Sequence, residues 1–121
     1  MNVTRFALII TLLFSISLAG CGDADIEGIV IKADDNTVLV AGNLSMDRYK
    51  ELKDETSSDV DMFEAAKQEV RDTEGDIDLV DFTYDNANKF ESGNEVSVWR
   101  GKHIGESFPE QAEARKISLI D

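Results

Sequence analysis

An uncharged apolar run, Phe6 to Ala19, entered from Arg5 and closed by the small residues Ala19, Gly20 and Cys21, limits what this chain can fold into more than any other feature. A basic n-region followed by such an h-region is the pattern of a secretory signal. The run is shorter than the roughly 20 residues needed to cross a hydrocarbon core, so it does not read as a retained transmembrane helix. Without residues 1–20 the chain keeps 101 residues. That length predicts one domain with a single modest core. The only cysteine, Cys21, would be its first residue. No intramolecular disulfide can form, and stability has to come from burial.

The closing tetrapeptide Leu18, Ala19, Gly20, Cys21 resembles the bacterial lipobox, in which the cysteine thiol is diacylated before a peptidase cuts on its N-terminal side. The resemblance implies a signal peptide over 1–20, a lipidated tether over 21–25 and a domain over 26–121. Lipid on Cys21 would place the protein on the outer, extracytoplasmic face of the cell membrane. Each buried methylene contributes roughly 0.8 kcal/mol, so two or three acyl chains hold stably where one holds marginally.

Only Arg5 among the charged residues lies in the first twenty, so the mature chain carries 11 Lys plus Arg against 25 Asp plus Glu, a net charge of −14. This balance argues against nucleic acid, whose binding draws on cations that neutralise phosphates. Anionic headgroups should repel the domain as a whole. A cationic envelope protein or peptide would be attracted over a Debye length of roughly 8 Å, although the same charge also serves plain solubility.

Along the mature chain, Ile26, Gly28, Val30 and Lys32 alternate with Glu27, Ile29 and Ile31, and the turn residues Asp34, Asp35 and Asn36 lead into Thr37 to Ala41. This predicts a β-hairpin. Ser45 precedes Met46, Tyr49 and Leu52, and Ser58 precedes Val60, Phe63, Ala66 and Val70. Both are helical spacings behind a capping serine, the second closed by Gly75 with Phe63 and Val70 toward the core. From Ile77 to Tyr84 the period changes to that of a mostly buried strand, and Asn86 to Gly93 reads as a polar connection. Val96 and Val98 alternate next, Gly101 offers a bend, and Ile117 and Leu119 alternate within Arg115 to Ile120. The sum is a mainly β (α+β) chain of five strands, with two helices inserted between strands 2 and 3.

The C-terminal third, Gly93 to Trp99 followed by Gly101, Ile104, Glu106, Ser107, Phe108, Pro109, Gln111, Ala112, Ala114 and Ile117, resembles the YobA-like family of small Gram-positive lipoproteins. The hairpin from Glu27–Val30 to Val38–Val40 resembles that family's N-terminal element. The likeness implies a small five-stranded OB-like barrel and transfers no catalytic residue. The acidic stretch 46–75 lies outside it and reads as an insertion, functional or merely solvated.

Candidate chemistry is thin. Setting Gly75 at the glycine of an EF-hand loop brings Asp72, Glu74, Asp76, Asp78 and Asp81 near ligand positions, but Val70 stands where the first Asp belongs and Asp81 replaces the closing Glu. His103 is the only histidine, so the zinc ligand sets of His and Cys are ruled out, and no nucleophile elbow frames Ser107. A carboxylate pair could hydrolyse a glycoside only with a sugar-binding cleft between its members. Trp99, Arg100, His103 and Phe108 mix aromatic and cationic groups in an acidic chain and form the candidate binding face, since Trp and Arg are favoured interface anchors. Equally, Trp99 can belong to the core and Ser107 to Pro109 to a structural turn. The expectation is a non-catalytic binding module without cofactor or metal. The alternatives are a carboxylate-dependent envelope hydrolase and a calcium-dependent structural protein.

Overall fold

The computed structural model describes residues 22–105 and 108–120; the signal segment, Cys21, Glu106, Ser107 and Asp121 lie outside them. Five strands, β1 (Ile26–Ala33), β2 (Thr37–Gly42), β3 (Asp78–Thr83), β4 (Glu95–Gly105) and β5 (Glu110–Leu119), close into a barrel in the order β1-β2-β3-β5-β4. All pairings are antiparallel except β3 with β5, which is parallel from Val80↔Glu110 to Thr83↔Glu113. Two helices, α1 (Met46–Asp54) and α2 (Asp59–Asp72), stand between β2 and β3. This is the OB-like barrel with a helical insertion that the sequence implied.

Alternation along the strands produces two cores. Inward residues Val30, Val38, Val40, Val80, Phe82, Val96, Val98, Ala112 and Ile117 fill the barrel. The outward residues of β1, β2 and β3, among them Ile29, Ile31, Leu39, Ala41 and Leu79, pack under α1 and α2. Strands buried on both faces carry near-continuous apolar runs, which accounts for Gly28–Ile31 and Val38–Ala41. Gly28 pairs with both Gly42 and Val96 where β1 closes the barrel. An added Cβ there would lie 2.2 Å from the Ala41 carbonyl oxygen, so only glycine lets the strands approach this closely.

Both helices begin where their serines direct. Ser45 Oγ accepts from the Arg48 backbone N–H at 3.1 Å and Ser58 Oγ from that of Asp61 at 3.2 Å, each satisfying a donor that the helix leaves free. The helices are joined by a fork: Arg48 Nε donates to Glu69 Oε2 at 2.7 Å and Nη2 to Oε1 at 3.0 Å. Arg48 also donates to Glu51, and the two carboxylates hold its guanidinium well above its ordinary range.

Several expectations shift. The buried stripe of α2 is Met62, Ala66 and Glu69, with Phe63 and Val70 only partly buried at its margins. The stretch after β3 contains a 3-10 turn, Ala87–Lys89, whose Ala87 and Phe90 enter the barrel core, so this connection is a plug as well as a polar link. Gly101 does not end β4, because the strand runs on to Gly105 through register shifts with β5. Leu119 is exposed although it shares the inward parity of Ile117 and stands opposite Val96, because it is the last residue of β5, at the end of the barrel. No helix among the described residues is long and apolar enough to cross a membrane.

Candidate functional site

The β1 register shifts between Val30 and Lys32, leaving Ile31 as the extra residue of a bulge. Strict alternation would have put Lys32 on the Val30 face, inside the barrel. The bulge turns it outward instead, opposite Leu39, a common use of an inserted residue. A row then crosses the outer face: Lys32 opposite Leu39, Leu39 opposite Asp81, and Asp81 opposite Gln111. α2 roofs one side of the row with Phe63, the β1–β2 turn supplies Asp34, the start of β2 supplies Thr37, and Pro109 closes the side toward β5. The cleft is open to solvent on one side and holds about 170 Å³, the scale of one side chain rather than of a drug-sized ligand.

Asp81 sets the character of this cavity. It is half-buried on an otherwise apolar stretch of strand, and no described residue donates a hydrogen bond to its carboxylate. Burial pushes its carboxyl above the ordinary value and the charge of Asp34 pushes it further, while Lys32 acts in the opposite direction. The Lys32 ammonium is itself engaged by Asp34 at 3.8 Å with both groups largely in water. The site therefore presents an under-compensated negative charge behind walls of Leu39, Phe63 and Pro109. That arrangement suits a cation on an apolar stem.

A second cavity of about 190 Å³ lies between the helices and β1. Its serine and threonine side chains are engaged: Ser57 donates to Asp61, Ser58 caps α2, Ser92 donates to the Ile31 carbonyl and Thr56 to that of Lys53, with the Tyr49 ring also in the lining. The first cavity holds the one described carboxylate that burial shifts, Asp81, and is the better candidate.

The four residues singled out from sequence divide among three places. Trp99 stands opposite Lys116, whose ammonium lies 4.7 Å from its ring. Arg100 stands opposite Ala114 and His103 opposite Ala112, both inward positions, and the two converge on Glu110: Arg100 Nη1 donates to Oε2, and His103 Nδ1 is 3.8 Å from the same oxygen. Phe108 is half-exposed with the Arg71 guanidinium 5.9 Å from its ring. They form no single face. What the sequence reading missed was Lys32, Asp34, Leu39, Phe63 and Pro109 around Asp81. The available signal was a charge at Asp81 inside the run Leu79–Phe82.

Asp78 and Asp81, aligned above as neighbouring calcium ligands, fall on opposite faces of β3, because Asp78 shares the parity of inward Val80 and Asp81 that of outward Leu79. Among the described residues, no three Asp, Glu, His or Cys side chains come together as a metal site.

Residues 27–121 match a family model described as a protein of unknown function, DUF3221, and the match runs through the helical segment that the sequence likeness left out. No curated protein matches the chain. The chain is similar to a crystal structure of a YobA protein from Bacillus subtilis subsp. subtilis str. 168, with 19% identity over 78% of this chain and 91% of that one, at a TM-score of 0.46.

Proposed function

This chain belongs to the DUF3221 family, and we propose that it works as a lipid-anchored, non-catalytic binding module on the outer face of the cell membrane. Its ligand is a cationic side chain of a peptide or protein partner, received in the cleft beside Asp81. The observation that carries this reading is the half-buried Asp81 carboxylate, without a hydrogen-bond donor among the described residues, on the floor of a side-chain-sized cavity. Leaving such a charge without a donor costs stability, and an incoming Lys or Arg head supplies what the fold withholds. Leu39, Phe63 and Pro109 would cover its methylene stem. The net charge of −14 on the chain from Cys21 onward raises the encounter rate with cationic partners. The anchor rests on the Leu18 to Cys21 tetrapeptide, which lies outside the described residues.

Isothermal titration of the lipidated full chain with a panel of Lys-rich, Arg-rich and acidic peptides tests the proposal. Basic peptides should bind and acidic ones should not. Asp81→Asn should weaken binding about tenfold, the loss expected from one charge-assisted contact of roughly 1.4 kcal/mol. Equal binding by the Asn variant would sink the assignment of the cleft.

One observation favours a second reading, a carboxylate-dependent hydrolase: Asp34 and Asp81 share the cavity, and the first raises the second. Release of reducing ends from wall polysaccharide, abolished in Asp81→Asn, would establish that reading. The cavity volume speaks for the binder, because a saccharide needs a longer cleft.

A further inference from the structure

We propose that the cavity between α1, the start of α2 and β1 is a second binding site, which takes a carboxylate on a short apolar stem, either a small free acid or the C-terminus of a peptide. The proposal is independent of the cleft at Asp81, because the two cavities share no lining residue.

The first argument is a hydroxyl that the fold leaves unbonded. Tyr49 lies on the buried face of α1 and is 4% exposed. Its ring belongs to the outer core with Ile31 and Met62, and its hydroxyl end reaches the turn before β4, where a Cβ on Gly93 would stand 3.4 Å from the oxygen. No described residue shares a hydrogen bond with this hydroxyl. Among the described residues, no side-chain oxygen is sealed from solvent without a partner. The Tyr49 oxygen therefore opens onto the cavity that its ring helps to line. A buried tyrosine hydroxyl ordinarily finds a partner, and here the partner is left to come from outside the chain.

The second argument is the chemistry around that hydroxyl. Lys53 follows Tyr49 by one helical turn, its ammonium lies 5.9 Å from the ring centre, and no described carboxylate pairs with it. Among the described residues it is the one charged group of the lining, in a chain that carries 25 acidic residues. Ser58 adds a third donor, since its oxygen accepts from the Asp61 N–H while no described residue takes its hydrogen. As the cap it also brings the positive end of α2 to the cavity. Asp61 itself is held by Ser57 Oγ at 3.0 Å and stands outside the lining. Phenol, hydroxyl and ammonium together suit an anion, because hydrogen bonds to an ionised acceptor are roughly twice as strong as neutral ones. Ile31 and Met62 make the opposite wall apolar. A cavity of roughly 150 Å³ takes benzene, so the volume of about 190 Å³ has room for a carboxylate with a stem of about three carbons. One cation compensates a carboxylate, whereas a phosphate dianion would keep excess charge inside an acidic protein.

The test is saturation-transfer NMR on the full chain in detergent, with butyrate, butyramide, inorganic phosphate and acetyl-trialanine bearing a free or an amidated C-terminus as probes. Binding of butyrate assigns the site to small free acids, and binding of the peptide acid alone assigns it to C-termini; either result supports the proposal. Tyr49→Phe removes only the hydroxyl and should weaken binding of the bound acid about tenfold, the loss of one hydrogen bond to a charged acceptor. Lys53→Gln, at an exposed position, should weaken it by a similar factor and flatten its salt dependence, with thermal melts confirming both folds. Asp81→Asn should leave the acid's affinity unchanged while it lowers that of basic peptides, so the two sites stand or fall separately. Binding of neither acid, butyramide or the amidated peptide binding as tightly as its acid, phosphate binding more tightly than both acids, or an affinity unchanged in Tyr49→Phe and Lys53→Gln would each overturn the proposal.

Discussion

Strands β1, β2 and β3 and the hairpin of β4 and β5 belong to one barrel, yet they solve different problems. The first three are buried on both faces, inward against the barrel core and outward against α1 and α2. Their sequences are accordingly near-continuous in apolar residues, and the one charge on the covered face of β3, Asp81, stands out. The hairpin is buried on one face for part of its length, and alternation yields to exposed polar residues beyond Trp99. Stability is concentrated in the covered strands. The hairpin is left with side chains free to meet something outside the fold, and the candidate cleft forms at the margin where α2 stops covering the sheet.

This contrast can be broken most severely at the shared core. Phe82→Ala removes a fully buried ring from the barrel and should cost about 3–5 kcal/mol in urea unfolding, with the midpoint falling while the slope is kept. Gly28→Val forces a side chain into the Ala41 backbone and should cost about 3 kcal/mol or prevent folding, read by loss of the cooperative melt. Met62→Ala, beneath the helical layer, should cost about 2 kcal/mol. Were it neutral, the helices would be an ornament and the three strands no different from the hairpin.

Smaller effects sharpen the comparison. The Asp81 carboxyl is raised from an ordinary value of 3.8, so its neutral form is the one the fold prefers. Its contribution is intact below that value and is lost as pH rises through the folded pKa, the reverse of a salt-bridged aspartate. Asp81→Asn should therefore stabilise the protein at neutral pH by less than about 1 kcal/mol, discounted because the side chain is half open to solvent. The difference from the parent chain should vanish near pH 3.5. Leu119→Ala, at the exposed end of β5, should change stability by no more than about 0.5 kcal/mol.

Much of the architecture was legible because it rests on local rules. Ser45 and Ser58 sit before helical spacings and cap both helices, Asp34 to Asn36 turn the first hairpin, and the apolar runs identify strands with two covered faces. Where a single residue changed the parity of a strand, reading failed. The bulge at Ile31 sends Lys32 outward and the shifts along β4 carry the strand past Gly101, because bulges are settled by what the partner strand offers and leave no mark in the alternation itself. The stripe of α2 was misjudged for a related reason: Met62 and Phe63 are both apolar, and the sheet beneath selects Met62.

The candidate site divides along the same line. By itself the sequence determined a single disulfide-free domain behind a lipobox-like tetrapeptide, its acidic charge, its five strands and two capped helices, and the oddity of a charge at Asp81. Each of these follows from composition, periodicity or near-neighbour chemistry along the chain. Tertiary structure alone decided that Asp81 shares a cavity with Lys32 and Asp34 from β1 and its turn, Phe63 from α2 and Pro109 from the start of β5. It also decided that Trp99, Arg100, His103 and Phe108 part company. Such groupings depend on register and barrel closure, which are set by the packing of all the strands at once rather than by any segment of the chain.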